Sequence, residues 1–127
     1  MQSVLRRSIF GLGFVLASLV SAHGALADSF GAISYSPDTG ATGWSYSWSS
    51  RRQAEREAQQ NCYENAGDCR VAIWFKNACG AVAAGDDGGW GSGWGSNSNR
   101  ARREAIKQCS QYSDGCRVVR WQCSGAR

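Results

Sequence analysis

Apolar and polar positions alternate along the chain in three distinct ways, and each predicts a different kind of segment. From Ile9 to Val20 the run is apolar apart from Gly11, Gly13 and Ser18. Arg6 and Arg7 precede it and Ala25-Leu26-Ala27 follow it, the three-part arrangement of a secretory signal peptide. A bilayer span needs roughly 20 apolar residues and this run supplies about a dozen. Residues 1–27 are therefore expected to be an export signal, with residues 28–127 forming a single mature domain. The first cysteine is Cys62, so no lipid-accepting thiol follows the apolar run.

The second pattern has period two. Gly31 to Tyr35 leads into Ser36-Pro37-Asp38-Thr39-Gly40, where proline presets one dihedral and glycine admits a positive one. The returning segment, Gly43 to Trp48, carries Trp44, Tyr46 and Trp48 at alternate positions, so a hairpin with three rings on one face is predicted. Further on, Gly85-Asp86-Asp87-Gly88-Gly89 turns the chain into Trp90 to Gly95. The third pattern has period four: Ala54, Ala58 and Cys62, and again Ala101, Ala105 and Cys109. Arg51 to Gln60 holds no Gly, Pro or β-branched residue, Ser50 and Gln53 suit a capped start, and Asn97 or Ser98 suits the second helix. Gly67 and Gly115 break the helices before strands over 69–76 and 116–123.

These patterns occur twice. An offset of 47 places Ala54 on Ala101, Cys62 on Cys109, Cys69 on Cys116, Arg70 on Arg117, Val71 on Val118 and Trp74 on Trp121. Gly31-Ala32-Ile33 answers Gly80-Ala81-Val82 at 49, and Trp44 and Trp48 answer Trp90 and Trp94 at 46. The reading is an α+β fold in which two pseudo-symmetric β-β-α-β repeats, about 30–79 and 80–124, pack as one small disulfide-bonded domain. Two copies favour a closed pair over a solenoid, which needs three or more units to bury its faces.

An even set of six cysteines in an exported domain reads as three disulfides. Cys62 ends a helix face and Cys69 opens the next strand, and Cys109 and Cys116 stand likewise. Those pairs are expected to bond, leaving Cys79 with Cys123 as a bond tying one copy to the other. Neither short pair has the two-residue spacing of a redox motif or zinc knuckle.

The hairpin opening Gly31-Ala32-Ile33, the aromatic strand before an Ala-rich helix, and the segment Cys69-Arg-Val-Ala-Ile-Trp-Phe-Lys-Asn-Ala-Cys-Gly-Ala-Val with its echo Cys116-Arg-Val-Val-Arg-Trp-Gln-Cys123 resemble the DUF4189 family. That family comprises small exported bacterial proteins whose domain has no assigned function. The resemblance covers about residues 30–124 and implies an exported α+β domain with two related halves; it transfers no catalytic residue.

Charged residues make up 19% of the 127 and apolar residues 43%, which excludes both a charge-rich disordered chain and a multispan membrane protein. Without Arg6 and Arg7 the formal net charge falls from +4 to +2, and the arginines are interleaved with Glu55, Glu57 and Glu104, so nucleic-acid binding is not indicated. The single histidine, His23, lies in the expected signal, leaving no imidazole for a catalytic triad or a His-containing zinc site. No cofactor motif is found. Asp38, Asp86 and Asp87 fall in turns and Glu64, Asp68 and Asp114 near helix ends, where acids commonly serve local structure rather than glycoside hydrolysis.

Aromatic residues carry the remaining signal. Trp74 and Trp121 lie in strands expected to be central and are expected to fill the core. Trp44, Tyr46, Trp48, Trp90 and Trp94 either fill the core or form an exposed stacking surface beside Arg51, Arg52, Arg100 and Arg103. The expected function is a monomeric, secreted or periplasmic, non-catalytic binding or inhibitory module acting on a protein or envelope glycan. A structural or assembly component of the envelope is the alternative, and a small carboxylate enzyme is a lesser one.

Overall fold

The computed structural model describes residues 27–126; the expected export signal, save its last residue, lies outside them. The chain runs β1 (Phe30–Tyr35), β2 (Thr42–Trp48), α1 (Arg51–Tyr63), β3 (Arg70–Lys76), β4 (Ala78–Ala84), β5 (Trp90–Gly95), α2 (Ser98–Cys109) and β6 (Arg117–Ser124). It is an α+β domain of two β-β-α-β repeats. Each repeat makes its own antiparallel three-stranded sheet, in the orders β2-β1-β3 and β5-β4-β6.

Local chemistry places the ends of these elements. Gly40 and Gly88 hold the two hairpin turns at positive φ, 78° and 81°. Ser50 caps α1 by accepting from the Gln53 N–H, and Asn97 caps α2 by accepting from the Arg100 N–H. Each helix lies on the outer face of its own sheet through a stripe of small residues. Ala54 and Ala58 meet Ala32, while Ala101, Ala105 and Cys109 meet Cys79, Ala81 and Ala83. The glycines of β2 and β5 permit this approach, since a Cβ on Gly43 would run into the Ala58 carbonyl oxygen of α1 and one on Gly93 would stand 2.6 Å from Glu104 of α2.

The inner faces of the two sheets enclose a core of Ile33, Tyr35 and Phe75 from the first and Val82 with Ala84 and Trp90 from the second. The domain is therefore layered helix, sheet, sheet, helix. Phe75 is the main departure from symmetry. Its ring is 3% exposed and occupies the space left by Gly31 and Gly80, the two glycines that open the duplicated Gly-Ala-Ile and Gly-Ala-Val motifs. The residue that answers it in the second copy, 47 positions on, is Gln122. One aromatic ring thus fills both notches.

The three disulfides are Cys62–Cys69, Cys109–Cys116 and Cys79–Cys123. The first two join each helix to the strand that follows it. The third does not tie the copies together, contrary to the expectation above. Cys79 lies within β4, the opening strand of the second repeat, and is paired in register with Cys123 of β6. The bond therefore cross-links two neighbouring strands of one sheet, and the repeats are held to each other by non-covalent packing.

Strand order corrects a second expectation. The central strands are β1 and β4, the openers of each hairpin, so β3 and β6 lie at sheet edges. Trp74 and Trp121 consequently do not fill the core but are 38% and 44% exposed. β3 and β6 each carry a β-bulge at corresponding positions: Ala72 is the extra residue between Ile73 and Val71, and Val119 the extra residue between Arg120 and Val118. Bulges and flanking charges, here Arg70, Lys76, Arg117 and Arg120, oppose pairing of such edges with another strand.

Candidate binding surface

The rings that were expected to share one face are divided by backbone geometry. Between Phe30 and Ala32 the register of β1 with β2 shifts by one residue, and Ser47 sits at φ 60°. This bulge reverses the alternation after Tyr46. Trp48 therefore turns to the helix side and packs with Phe30 against Ala32, Ala54 and Ala58, whereas Trp44 stays on the opposite face. The second hairpin has no such shift, so Trp94 remains in phase with Trp90. Trp90 is half-buried against Tyr35, their ring centroids 5.4 Å apart.

Three arginines cover three of the other indoles. Arg51, also paired with Glu55, stands 4.4 Å from the Trp74 ring centroid, and Phe30 stacks on that ring at 6.4 Å. Arg102 stands 5.4 Å from Trp121, and Arg120 lies 3.0 Å over Trp44. Such contacts contribute about 0.5–1 kcal/mol at exposed sites and more when desolvated. Arg120 Nε is buried without a hydrogen-bond partner, and burial pushes the guanidinium pKa down from its ordinary value. Sequence reading missed Arg120 and Arg102, because their partners come from strand pairing and sheet stacking that local periodicity does not encode. Arg52 and Arg103 are exposed and contact no ring among the described residues. The candidate residues thus do not form one continuous platform.

Five of the six tryptophans are engaged within the molecule, and Trp94 is the exception. It is 64% exposed, the most exposed of the six, and has no ring or guanidinium partner among the described residues. It stands between two open grooves. On one side an apolar groove of about 500 Å³ runs along the β3 edge, lined by Ile73, Trp74, Phe75 and Ala78. On the other side a polar groove of about 420 Å³ runs between β5 and α2, lined by Ser92, Arg100, Glu104, Lys107, Gln108 and Gln111. Of the arginines singled out from sequence, Arg100 alone shares a groove with Trp94. Tyr46, 55% exposed, and Trp44 border a third groove of about 390 Å³ between β2 and α1.

Three of the carboxylates considered for hydrolysis, Asp68, Asp86 and Asp87, fasten turns. Asp68 accepts from Ser36 Oγ and from the Asp38 N–H, fastening the first hairpin turn to the segment before β3. The Ser36 hydrogen bond, ahead of the other causes, holds the Asp68 carboxyl below its ordinary pKa. Asp87 accepts from the Asp114 N–H, and Asp86 pairs with Arg117 at 3.3 Å. No group of three or more His, Cys, Asp or Glu residues is placed to hold a metal among the described residues. Nor is any helix among them long and apolar enough to cross a membrane.

These features define a disulfide-stabilised α+β domain made of a duplicated β-β-α-β unit. The chain belongs to the DUF4189 family, a domain of unknown function found in bacteria, which matches residues 30–123. It is also similar to a solved structure, the NMR structure of Rv1813c from Mycobacterium tuberculosis, with 25% identity and a TM-score of 0.50 over 97% of this chain and 99% of that one. No curated protein matches the chain.

Proposed function

We propose that this domain is an exported, non-catalytic binding module that engages an envelope glycan or protein through the surface around Trp94. The observation that carries the reading is the contrast between Trp94 and the other five tryptophans. An indole left 64% exposed beside two grooves, in a domain that covers or buries the rest, offers apolar area to a partner at little cost in rearrangement. Export is supported by the leader-like pattern of residues 1–27 and by three disulfides, which persist in oxidising compartments. Pairing through the β3 and β6 edges, one route for the alternative of an envelope assembly component, is disfavoured by the paired bulges at Ala72 and Val119.

The test is capture from envelope and secreted fractions with the oxidised protein, comparing wild type with Trp94→Ala and with Arg52→Ala on the surface of α1. Retention of a glycan or protein that Trp94→Ala loses and Arg52→Ala keeps supports the reading. Equal retention by all three proteins, or none by any, refutes it.

A further inference from the structure

The groove beside Trp94 has a counterpart in the first repeat. At the offset of 47, Glu104, Gln108 and Gln111 correspond to Glu57, Asn61 and Glu64, and both sets line the groove between the helix and the edge strand of their own repeat. Elsewhere on the solvent side Arg56 and Arg103 also correspond, whereas Arg52 faces Asn99 in the alignment, Glu55 faces Arg102, and Gln59 faces Ile106. What the two grooves share is an aromatic wall, a carboxylate and an amide.

The amide has a structural duty. Asn61 Nδ2 donates to the Trp44 carbonyl at 3.1 Å, and Gln108 Oε1 accepts from the Ser92 N–H, so each ties its helix to the adjacent edge strand. The carboxylate has none: neither Glu57 nor Glu104 makes a hydrogen bond or ion pair among the described residues. An ionised carboxylate accepts only; at this open surface water satisfies it, and a ligand that displaces the water must bring donors of its own. An aromatic wall calls for a flat apolar face. A sugar ring supplies both, hydroxyl donors at its rim and C–H groups on its face.

Resting on the binding-module reading above, we infer that the two grooves are duplicated saccharide subsites. Trp94 supplies the stacking face in the second and Tyr46 in the first, with Glu104 and Glu57 accepting from ring hydroxyls. The grooves differ in charge. Arg100 and Lys107 join Glu104 in the second, whereas Glu57 and Glu64 stand without a basic residue in the first. The second groove therefore takes an acid-bearing sugar and the first a neutral one. The stretch of α2 from Arg100 to Gln108 covers about 12 Å of helix, enough for more than one ring.

Calorimetric titration of the oxidised protein with chitotetraose, which is neutral, and tetragalacturonate, which is acidic, tests the inference. Both are expected to bind, and Trp94→Ala is expected to weaken tetragalacturonate at least tenfold. Arg100→Gln with Lys107→Gln should weaken tetragalacturonate alone and remove its salt dependence, while Tyr46→Ala and Glu57→Gln should each weaken chitotetraose with little effect on the acidic probe. Absence of binding to both sugars at millimolar concentration, or binding that Trp94→Ala and Tyr46→Ala leave unchanged, overturns the inference. If sugars fail while Trp94→Ala still abolishes capture of an envelope protein, the binding-module reading stands and the saccharide assignment falls. If both assays fail, both readings fall.

Discussion

Phe75 is predicted to be the joint on which the two repeats close, and a double-mutant cycle with Gly80 tests this quantitatively. Replacing Phe75, 3% exposed, by alanine removes a whole buried ring between the sheets and should cost about 3–5 kcal/mol. Adding a methyl group at position 80 acts from the other side. A Cβ on Gly80 would lie 2.5 Å from Phe75 Cδ1 and 2.7 Å from Cε1, roughly 0.9 Å inside an ordinary 3.4 Å contact, so the ring must shift or the sheets must part. Overpacking of that kind costs about 1–3 kcal/mol.

In the double variant the methyl enters space the ring has vacated, so the penalties should not add. The cycle is expected to give a coupling of about 1–2 kcal/mol, within the range for residues in contact. Urea unfolding of the oxidised proteins supplies the four free energies, and Phe75→Leu replaces Phe75→Ala should the latter fail to fold. Additivity within about 0.5 kcal/mol, the value for independent sites, would refute the wedge.

Three further outcomes follow from the geometry. Removing Cys79–Cys123 by paired Cys→Ser substitution should cost about 4 kcal/mol by loop closure, against roughly 2.5 for either eight-residue bridge, and unfolding midpoints should rank accordingly. Asp68 has a folded-state pKa depressed mainly by Ser36, so its contribution is present above the ordinary carboxylate range and is lost as the pH falls through the lower folded value. Thermal unfolding of Asp68→Asn should therefore fall below wild type at neutral pH and converge with it on acidification below about pH 4; parallel curves would contradict this. Trp94→Ala should change stability by no more than about 0.5 kcal/mol, whereas Trp90→Ala, which leaves a void against Tyr35, should cost about 2 kcal/mol or more in the same denaturation assay.

What could be read from sequence is what repeats locally. The Ala54-Ala58-Cys62 stripe, the Ser36–Gly40 turn and the cysteine spacing each express one element and its immediate neighbour, and each fits the observed two-repeat α+β fold. What escaped depends on how elements meet. Trp74 and Trp121 sit in strands apolar enough for a core, yet strand order places those strands at sheet edges because β1 and β4 each accept partners on both sides. Trp48 obeys the two-residue alternation in sequence, and a single extra residue near Ser47 turns it to the helix side. Cys79 reads as the end of the first copy, and only the pairing of β4 with β6 shows that it begins the second.

The groove residues were partly legible. Trp94 and Arg100 stand out as aromatic and basic positions, and the offset of 47 that aligns the cysteines also aligns Glu57 with Glu104 and Asn61 with Gln108. Their significance emerges when the glycines of β2 and β5 are seen to let the helices settle close on the edge strands. That approach leaves polar helix side chains and edge-strand aromatics facing a common space.

The most direct measurement of the account's central claim is the position of the six tryptophan indole N–H signals in a ¹H–¹⁵N spectrum of the oxidised protein as tetragalacturonate is added. Trp94 should shift progressively and saturate, with Trp48 and Trp90, packed within the domain, holding their positions. A spectrum in which Trp94 stays fixed through saturating ligand, or in which the packed indoles move in its place, would contradict the account.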